Sequence, residues 1–175
     1  MRFILILIIG LMTFLACKNN TNKSTTNNEI PNNIKDLRDS LLAHPLGESF
    51  KTKAPVLVKM LDSYAKTNPK DSLAPAYLFE ASQYSRNLGD LKSALNNMEK
   101  IKQDYPDFKR LADVIFYEGF MVENDMKDIH KAKEIYEDFL RRFPNHPYAS
   151  NIKMNIQNLG KTPEEILKSL KNKPQ

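Results

Sequence analysis

Residues 78–106 (LFEASQYSRNLGDLKSALNNMEKIKQDYP) and residues 116–144 (FYEGFMVENDMKDIHKAKEIYEDFLRRFP) share one pattern at an offset of 38 positions. Apolar, small and turn residues coincide at ten positions without a gap. A partial earlier copy contains Leu57, Leu61, Tyr64 and Pro69. A period of roughly 20 to 50 residues indicates an array of stacked structural units. We therefore predict that the chain folds as a repeat array.

Helical periodicity extends beyond these two stretches. Apolar residues recur every three or four positions from Ile34 onward, which is the spacing of amphipathic helices. Pro55 fits a helix N-terminus, Asn68-Pro69 stops that helix, and Thr162 begins a capping box before the last helix. We predict eight short helices, around residues 34–42 and 56–64, then about 74–87, 91–104, 110–124, 128–142, 147–158 and 163–171.

The repeat resembles the tetratricopeptide repeat over roughly residues 54–160. In that family the second helix of each unit carries an alanine, then large packing residues, then a proline twelve positions after the alanine. These positions fall on Ala94, Met98, Ile101 and Pro106, and again on Ala132, Tyr136, Phe139 and Pro144. The unit is 38 residues long rather than about 34, and the small first-helix residues Ala81 and Gly119 lie one position early. The resemblance implies an all-α, right-handed α-solenoid of antiparallel helix pairs.

The N-terminus has the composition of a targeting segment. One positive charge at Arg2 precedes an apolar run over residues 3–16, which is shorter than the roughly 20 residues that a membrane-spanning helix needs. The run ends in Leu15-Ala16-Cys17, which resembles the lipobox of bacterial lipoproteins, although Phe14 replaces the usual leucine. That resemblance implies a lipid on Cys17; an ordinary signal peptide with an incidental cysteine is the alternative.

The segment after Cys17 is polar, with seven asparagines in the sixteen residues 18–33, and we expect it to be disordered. We therefore divide the chain into a signal peptide (1–16), a lipidated cysteine with its tether (17–33) and a helical domain (34–175). The resemblance implies anchoring in the bacterial cell envelope. Lys18 is not the aspartate that retains some lipoproteins in the inner membrane, so the outer membrane is favoured. The organisation is similar to that of outer-membrane assembly and Tol-Pal-associated lipoproteins.

Composition argues against most catalytic and cofactor chemistry. With 5 glycines the chain has no phosphate-binding or dinucleotide motif, and its single cysteine excludes an intramolecular disulfide. A net charge of +5, spread along the chain, gives no nucleic-acid footprint. We expect no cofactor, no metal and no enzyme activity. The histidines lie in separate segments, and one group of carboxylates lies beside lysines, which is typical of a solvated face: His44, His130 and His146; Glu118, Glu123, Asp125 and Asp128.

Partner-binding residues are expected on the first helix of each unit, because first helices line the concave side of such arrays. Ala81, Ser82, Ser85 and Leu88 form the apolar or small face of one such helix, which leaves other residues to face outward. The predicted partner-binding set is Tyr77, Glu80, Gln83, Arg86, Asn87, Tyr117, Glu118, Met121 and Asn124. Tyr77 and Tyr117 are predicted aromatic anchors about 10 Å apart on adjacent helices. Alternatively, both tyrosines pack between repeats.

Three functions remain possible at this point. The favoured one is a lipid-anchored envelope scaffold whose groove binds another envelope protein or peptide. The second is an accessory subunit of an envelope enzyme complex, such as peptidoglycan or polymer machinery, that uses the same groove. The third is a catalyst in its own right, which would need a pocket with converging titratable groups.

Overall fold

The computed structural model describes residues 31–44 and 47–171, and within them it is all-helical, with no strand. Each of the first six helices packs against the next one along the chain. The fold is therefore the predicted array of antiparallel helix pairs, consistent with an α-solenoid. Its helices are α1 (Asn32–Ala43), α2 (Glu48–Thr67), α3 (Ala74–Asn87), α4 (Leu91–Asp104), α5 (Leu111–Asn124), α6 (Ile129–Arg142), α7 (Ala149–Asn158) and α8 (Pro163–Lys171).

Helix α2 begins earlier than its proline suggested. We expected Pro55 at the helix N-terminus, but α2 starts at Glu48 and Pro55 lies inside it. Proline removes one backbone hydrogen bond from a helix interior. Here Phe50 and Ala54 continue the apolar stripe of Leu57 and Leu61, and Ala54, Leu57 and Leu61 have no exposed surface. Burial of that longer stripe offsets the missing bond.

The turns inside the two repeat units use the same backbone geometry. Gly89 has a φ of 81°, and the following Asp90 accepts a hydrogen bond from the Ser93 amide at 3.0 Å. In the next unit Lys127 has a φ of 58°, and Asp128 accepts from the Lys131 amide at 3.0 Å. Among the described residues, Lys127 is the one non-glycine residue with positive φ. Its unit therefore keeps the aspartate cap without the glycine that favours this conformation.

Small residues allow close helix contacts, as the repeat register predicted. Ala81, Ala94 and Ala132 have no exposed surface. Gly119 on α5 lies against Tyr136 on α6, and a Cβ added to the glycine would stand 2.5 Å from the Tyr136 Cε1 atom. One core cluster joins α1, α2 and α3, and a second extends from the end of α2 to α7. The second-helix alanines of the repeat register, Ala94 and Ala132, are therefore buried at helix contacts, as their positions in the register require.

The N-terminal predictions lie mostly outside the described residues. The signal peptide, Cys17 and the tether up to residue 30 are not among them. Helix α1 starts at Asn32, two residues before the predicted start of the domain, and the Pro31 carbonyl accepts hydrogen bonds from the Ile34 and Lys35 amides. Within the described ranges, every helix is too short or too polar to cross a membrane.

Candidate functional site

A groove of about 520 Å³ lies over one face of α3. Its floor consists of α3 residues spaced three or four apart, which places them on a single helix face. Helix α1, the start of α2 and the residue before α5 form its walls. The lining residues are Ala76, Tyr77, Phe79, Glu80, Gln83, Tyr84 and Asn87 of α3, with Arg38, Leu41, Leu42, Phe50 and Arg110 around them.

The groove gathers part of the predicted partner-binding set. Tyr77, Glu80, Gln83 and Asn87 line it together. Arg86 is half-buried and Asn124 is exposed, but neither lines this groove. Leu41, Leu42, Phe50 and Arg110 were missed, because their approach to α3 depends on how the α1–α2 pair and the α4–α5 turn pack.

Three predicted surface residues are buried instead. Tyr77 is 3% exposed, Glu118 is 4% exposed and Met121 is fully buried, so the expectation that they face outward is wrong. The Tyr77 ring packs edge-on against Tyr64, with centroids 4.8 Å apart. Packing between helices, the alternative considered for the tyrosines, therefore holds for Tyr77.

Tyr117, the second predicted aromatic anchor, does not occupy a position equivalent to that of Tyr77. Tyr117 is half-buried and makes an edge contact with Phe79, with ring centroids 5.8 Å apart. Phe79 is also the residue 38 positions before Tyr117, whereas Ile115, the residue 38 positions after Tyr77, is buried. Tyr77 and Tyr117 therefore do not form an equivalent pair of anchors.

Two arginine–carboxylate pairs connect successive first helices. Arg38 on α1 donates from Nε to Glu80 Oε1 on α3 at 2.7 Å and from Nη2 to Oε2. Arg86 on α3 donates from Nη2 to Oδ1 of Asp125, just after α5, at 3.1 Å and from Nε to Oδ2. The hydrogen bonds with Glu80 and Asp125 raise the pKa of Arg38 and Arg86, respectively. The two residues of each pair lie 42 and 39 positions apart in the sequence, respectively. An arginine and a carboxylate about one repeat apart could therefore have predicted these ion pairs.

Three arginines also lie over aromatic rings, namely Arg38, Arg86 and Arg110. The Arg38 Cζ atom is 5.7 Å from the Tyr77 ring centroid, and the Arg86 Cζ atom is 5.0 Å from that of Phe120. Arg110 stands 5.0 Å from the Phe79 centroid. Guanidinium groups within about 6 Å of a ring are attracted by its π face. The guanidinium groups are thus fixed by a ring as well as by a carboxylate.

Glu118 belongs to a buried ion pair rather than to the surface. Its Oε2 atom lies 2.7 Å from Lys102 Nζ on α4, and Glu99 lies 2.7 Å from the same ammonium. Burial raises the pKa of Glu118 above its ordinary value of 4.5. Burial acts to lower the pKa of Lys102, but its hydrogen bonds with Glu118 and Glu99 outweigh this and leave it raised. The pair connects α4 to α5, and the Glu118 side chain is only 6% exposed.

The other grouped carboxylates are also structural. Glu123 accepts a hydrogen bond from the Tyr136 hydroxyl at 2.8 Å, Asp125 pairs with Arg86, and Asp128 caps α6. We expected the four carboxylates to share a solvated face. That expectation is wrong for Glu118 and Glu123, which contact buried groups. In the described ranges, no three or more of the residues His, Cys, Asp and Glu converge as they would at a metal site.

The histidines lie at the surface or in a turn. His44 and His130 are exposed. His146 is half-buried in the turn before α7, where its ring lies 5.4 Å from that of Phe139 and 4.9 Å from that of Tyr148. These are packing contacts in a turn.

Comparison with known proteins gives one family match. Residues 113–146 match the tetratricopeptide repeat, which corresponds to most of α5, all of α6 and the turn that follows. No curated protein and no solved structure matches the chain. The match covers the second copy of the 38-residue period, the unit that contains Gly119, Ala132 and Pro144. The chain therefore contains a tetratricopeptide repeat at residues 113–146, within an all-helical array.

Proposed function

We propose that this chain is a lipid-anchored scaffold of the bacterial cell envelope that binds a segment of another envelope protein in the groove over α3. The observation that carries the proposal is an open groove with an exposed apolar side chain, Leu42 at 69% exposure, beside polar α3 residues. Stacked repeats present such concave surfaces to protein partners. Apolar surface rimmed by polar groups is typical of protein-binding sites.

The ionic state of the groove favours binding over catalysis. Arg38 and Glu80 neutralise each other, and Arg110 donates to Asp113 at 2.9 Å. A general acid or base needs a proton-transfer group that is free to meet the substrate. Each charged group of this groove has an oppositely charged partner, within the groove for Arg38 and Glu80 and on α5 for Arg110, so its chemistry suits recognition.

The envelope location rests on the sequence of the N-terminus. A short apolar run followed by Leu15-Ala16-Cys17 and an asparagine-rich segment supports lipid attachment at Cys17. The acyl chains of a lipoprotein would contribute about 0.8 kcal/mol per buried methylene, enough for stable anchoring when several chains are present. Replacement of Cys17 by serine should abolish palmitate incorporation and release the protein from membranes. An unacylated wild-type protein would contradict this part of the proposal.

Crosslinking in intact cells tests the binding surface. A photoreactive residue at Gln83, on the floor of the groove, should yield one dominant crosslinked envelope protein identified by mass spectrometry. The same residue at Asn96, an exposed position on α4 outside the groove, is the matched control. Equal crosslinking patterns from both positions would contradict binding in the groove. Recovery of an enzyme as the dominant partner would instead assign the chain to an envelope enzyme complex.

A further inference from the structure

A second cleft, of about 520 Å³, lies between α2, the end of α3 and the turn before α4. It shares no lining residue with the groove over α3. Its charged lining residues are Lys59, Asp62 and Lys66 of α2, together with Asp90, which caps α4. The three α2 residues are three and four positions apart, which places them on one helix face. The cleft therefore presents both signs of charge side by side.

Asp62 is a carboxylate without a cationic partner. Its Oδ1 atom accepts a hydrogen bond from Nδ2 of Asn97 on α4 at 2.9 Å, and its Oδ2 atom has no hydrogen-bond or ion-pair partner among the described residues. The residue is half-buried, and burial raises the pKa of its carboxyl above 3.8, although the Asn97 hydrogen bond acts to lower it. A positive charge within about 4–6 Å stabilises such a carboxylate. A ligand ammonium group is thus complementary to Asp62.

Two unpaired lysines flank this carboxylate. Lys59 and Lys66 lie one turn before and one turn after Asp62, both are exposed, and neither ammonium has an ion-pair or hydrogen-bond partner in the described ranges. Their flexible stems let both charges approach a ligand, so a simple amine would be repelled by them. The α-ammonium and α-carboxylate of an amino acid share one carbon atom. Such a zwitterion matches one carboxylate that is flanked by two lysines.

A buried hydroxyl without a partner lies in the lining of the same cleft. Ser85 is 1% exposed, and its Oγ atom makes no hydrogen bond. In the next repeat unit the equivalent residue, Glu123, accepts a hydrogen bond from Tyr136. The residue 38 positions before Tyr136 is Met98, which has no hydroxyl to offer Ser85. A buried polar group without a partner is costly, and a polar ligand in the cleft would remove that cost.

We propose that this cleft binds a free amino acid with an apolar side chain. The ligand ammonium pairs with Oδ2 of Asp62, and the ligand carboxylate pairs with Lys59 or Lys66 and accepts a hydrogen bond from Ser85. The ligand side chain lies against the apolar part of the lining, which consists of Pro55, Val58 and Leu88. The cleft is separate from the groove over α3, so this inference does not rest on the proposed function of that groove.

Calorimetric titration of the full-length protein, in detergent, tests the inference. Free leucine is compared with three analogues, each of which lacks one recognised feature. Leucine methyl ester lacks the negative charge, N-acetylleucine lacks the positive charge, and glycine lacks the apolar side chain. Leucine should bind saturably, and each analogue should bind about tenfold more weakly or worse, because each loses one set of contacts. Absence of saturable leucine binding, or equal affinity for leucine and any analogue, would overturn the inference.

Matched variants locate the binding site. Asp62→Asn should bind leucine about tenfold more weakly or worse, while its thermal unfolding stays close to that of the wild type because asparagine can still accept from Asn97. Asp107→Asn makes the same charge change at an exposed residue outside the cleft and should bind like the wild type.

Ser85→Ala separates binding from folding. It should weaken leucine binding and yet unfold at the same or a higher temperature, because it removes a buried hydroxyl without a partner and alanine favours helix. A residue with a purely structural role would not show that combination. Unchanged leucine affinity in Asp62→Asn or in Ser85→Ala would contradict the proposed site.

Discussion

The Tyr136 ring on α6 occupies the space in which residue 119 on α5 would place a side chain. A Cβ built on Gly119 would meet the Cε1 and Cδ1 atoms of that ring at 2.5 and 2.7 Å. Tyr136 is itself fully buried, and its hydroxyl donates to Glu123 at 2.8 Å. The ring is thus held by its contact with Gly119 and by the hydrogen bond of its hydroxyl, and its position explains why residue 119 in the middle of α5 is a glycine.

Gly119→Ala should therefore destabilise the protein. Overpacking a filled contact costs about 1–3 kcal/mol, which exceeds the gain of up to about 1 kcal/mol from replacing a helical glycine by alanine. Urea denaturation measures the change. In a Tyr136→Leu background the ring is absent, and the same substitution should cost less. Equal costs in both backgrounds would show that the Gly119–Tyr136 contact does not determine the requirement for glycine.

Lys127→Gly should stabilise the turn before α6. A non-glycine residue in the left-handed region costs about 1–2 kcal/mol, partly offset because glycine gains more freedom in the unfolded state. The expected net gain in the free energy of unfolding is up to about 1 kcal/mol. Gly89→Lys places the reverse change in the equivalent turn and should destabilise. If both substitutions shift stability in the same direction, backbone conformation does not explain the difference between the two turns.

The buried Glu118 should make the free energy of unfolding depend on pH. Burial raises the folded-state pKa of this carboxyl above 4.5, so protonation favours the folded state. Its contribution to stability is therefore fully present below pH 4.5 and is lost as the pH rises through the raised value. Wild type should lose stability relative to Glu118→Gln as the pH increases from about 4 to 7. A pH-independent difference between the two proteins, measured by urea denaturation, would contradict the raised pKa.

Tyr64 should make the free energy of unfolding depend on pH in the alkaline range. Burial and a hydrogen bond from its hydroxyl to Asp71 at 2.8 Å raise its pKa from 10.0 to about 12. The folded state holds this proton more tightly, so the stabilising contribution is present below pH 10 and declines as the pH rises toward 12. Tyr64→Phe removes that titration, and its unfolding free energy should fall less steeply over this range. Identical slopes for the two proteins would exclude the effect.

The helices were predictable because the 38-residue register and the three-to-four spacing are local in sequence. Ala94 and Ala132 were placed correctly for that reason. The start of α2 was not, because a proline is typical of the first turn of a helix, and Pro55 therefore indicated a later start than the apolar spacing of Phe50 and Ala54.

The site was only partly predictable, because assigning one apolar or small face to α3 does not show which of the remaining residues pack against a neighbouring helix. Glu118 is polar, yet it is buried beside Lys102, whose position depends on how α4 packs against α5. Gln83 and Asn87 line the groove, and their role in partner binding stays a prediction. Leu42 and Phe50 come from the first helix pair, and their arrival at α3 is a tertiary contact that periodicity does not encode.

Accessibility of the groove in living cells tests the central claim most directly. Asn87 in the groove and Asn96 on α4 are both exposed asparagines, and each is replaced by cysteine in a chain whose single native cysteine, Cys17, is the proposed lipid attachment site. A membrane-permeant thiol reagent should label both variants at similar rates in the purified protein. In intact cells, Asn87→Cys should be protected while Asn96→Cys remains reactive, because a partner covers the groove. Equal labelling of the two positions in cells would contradict the claim that this groove binds a partner.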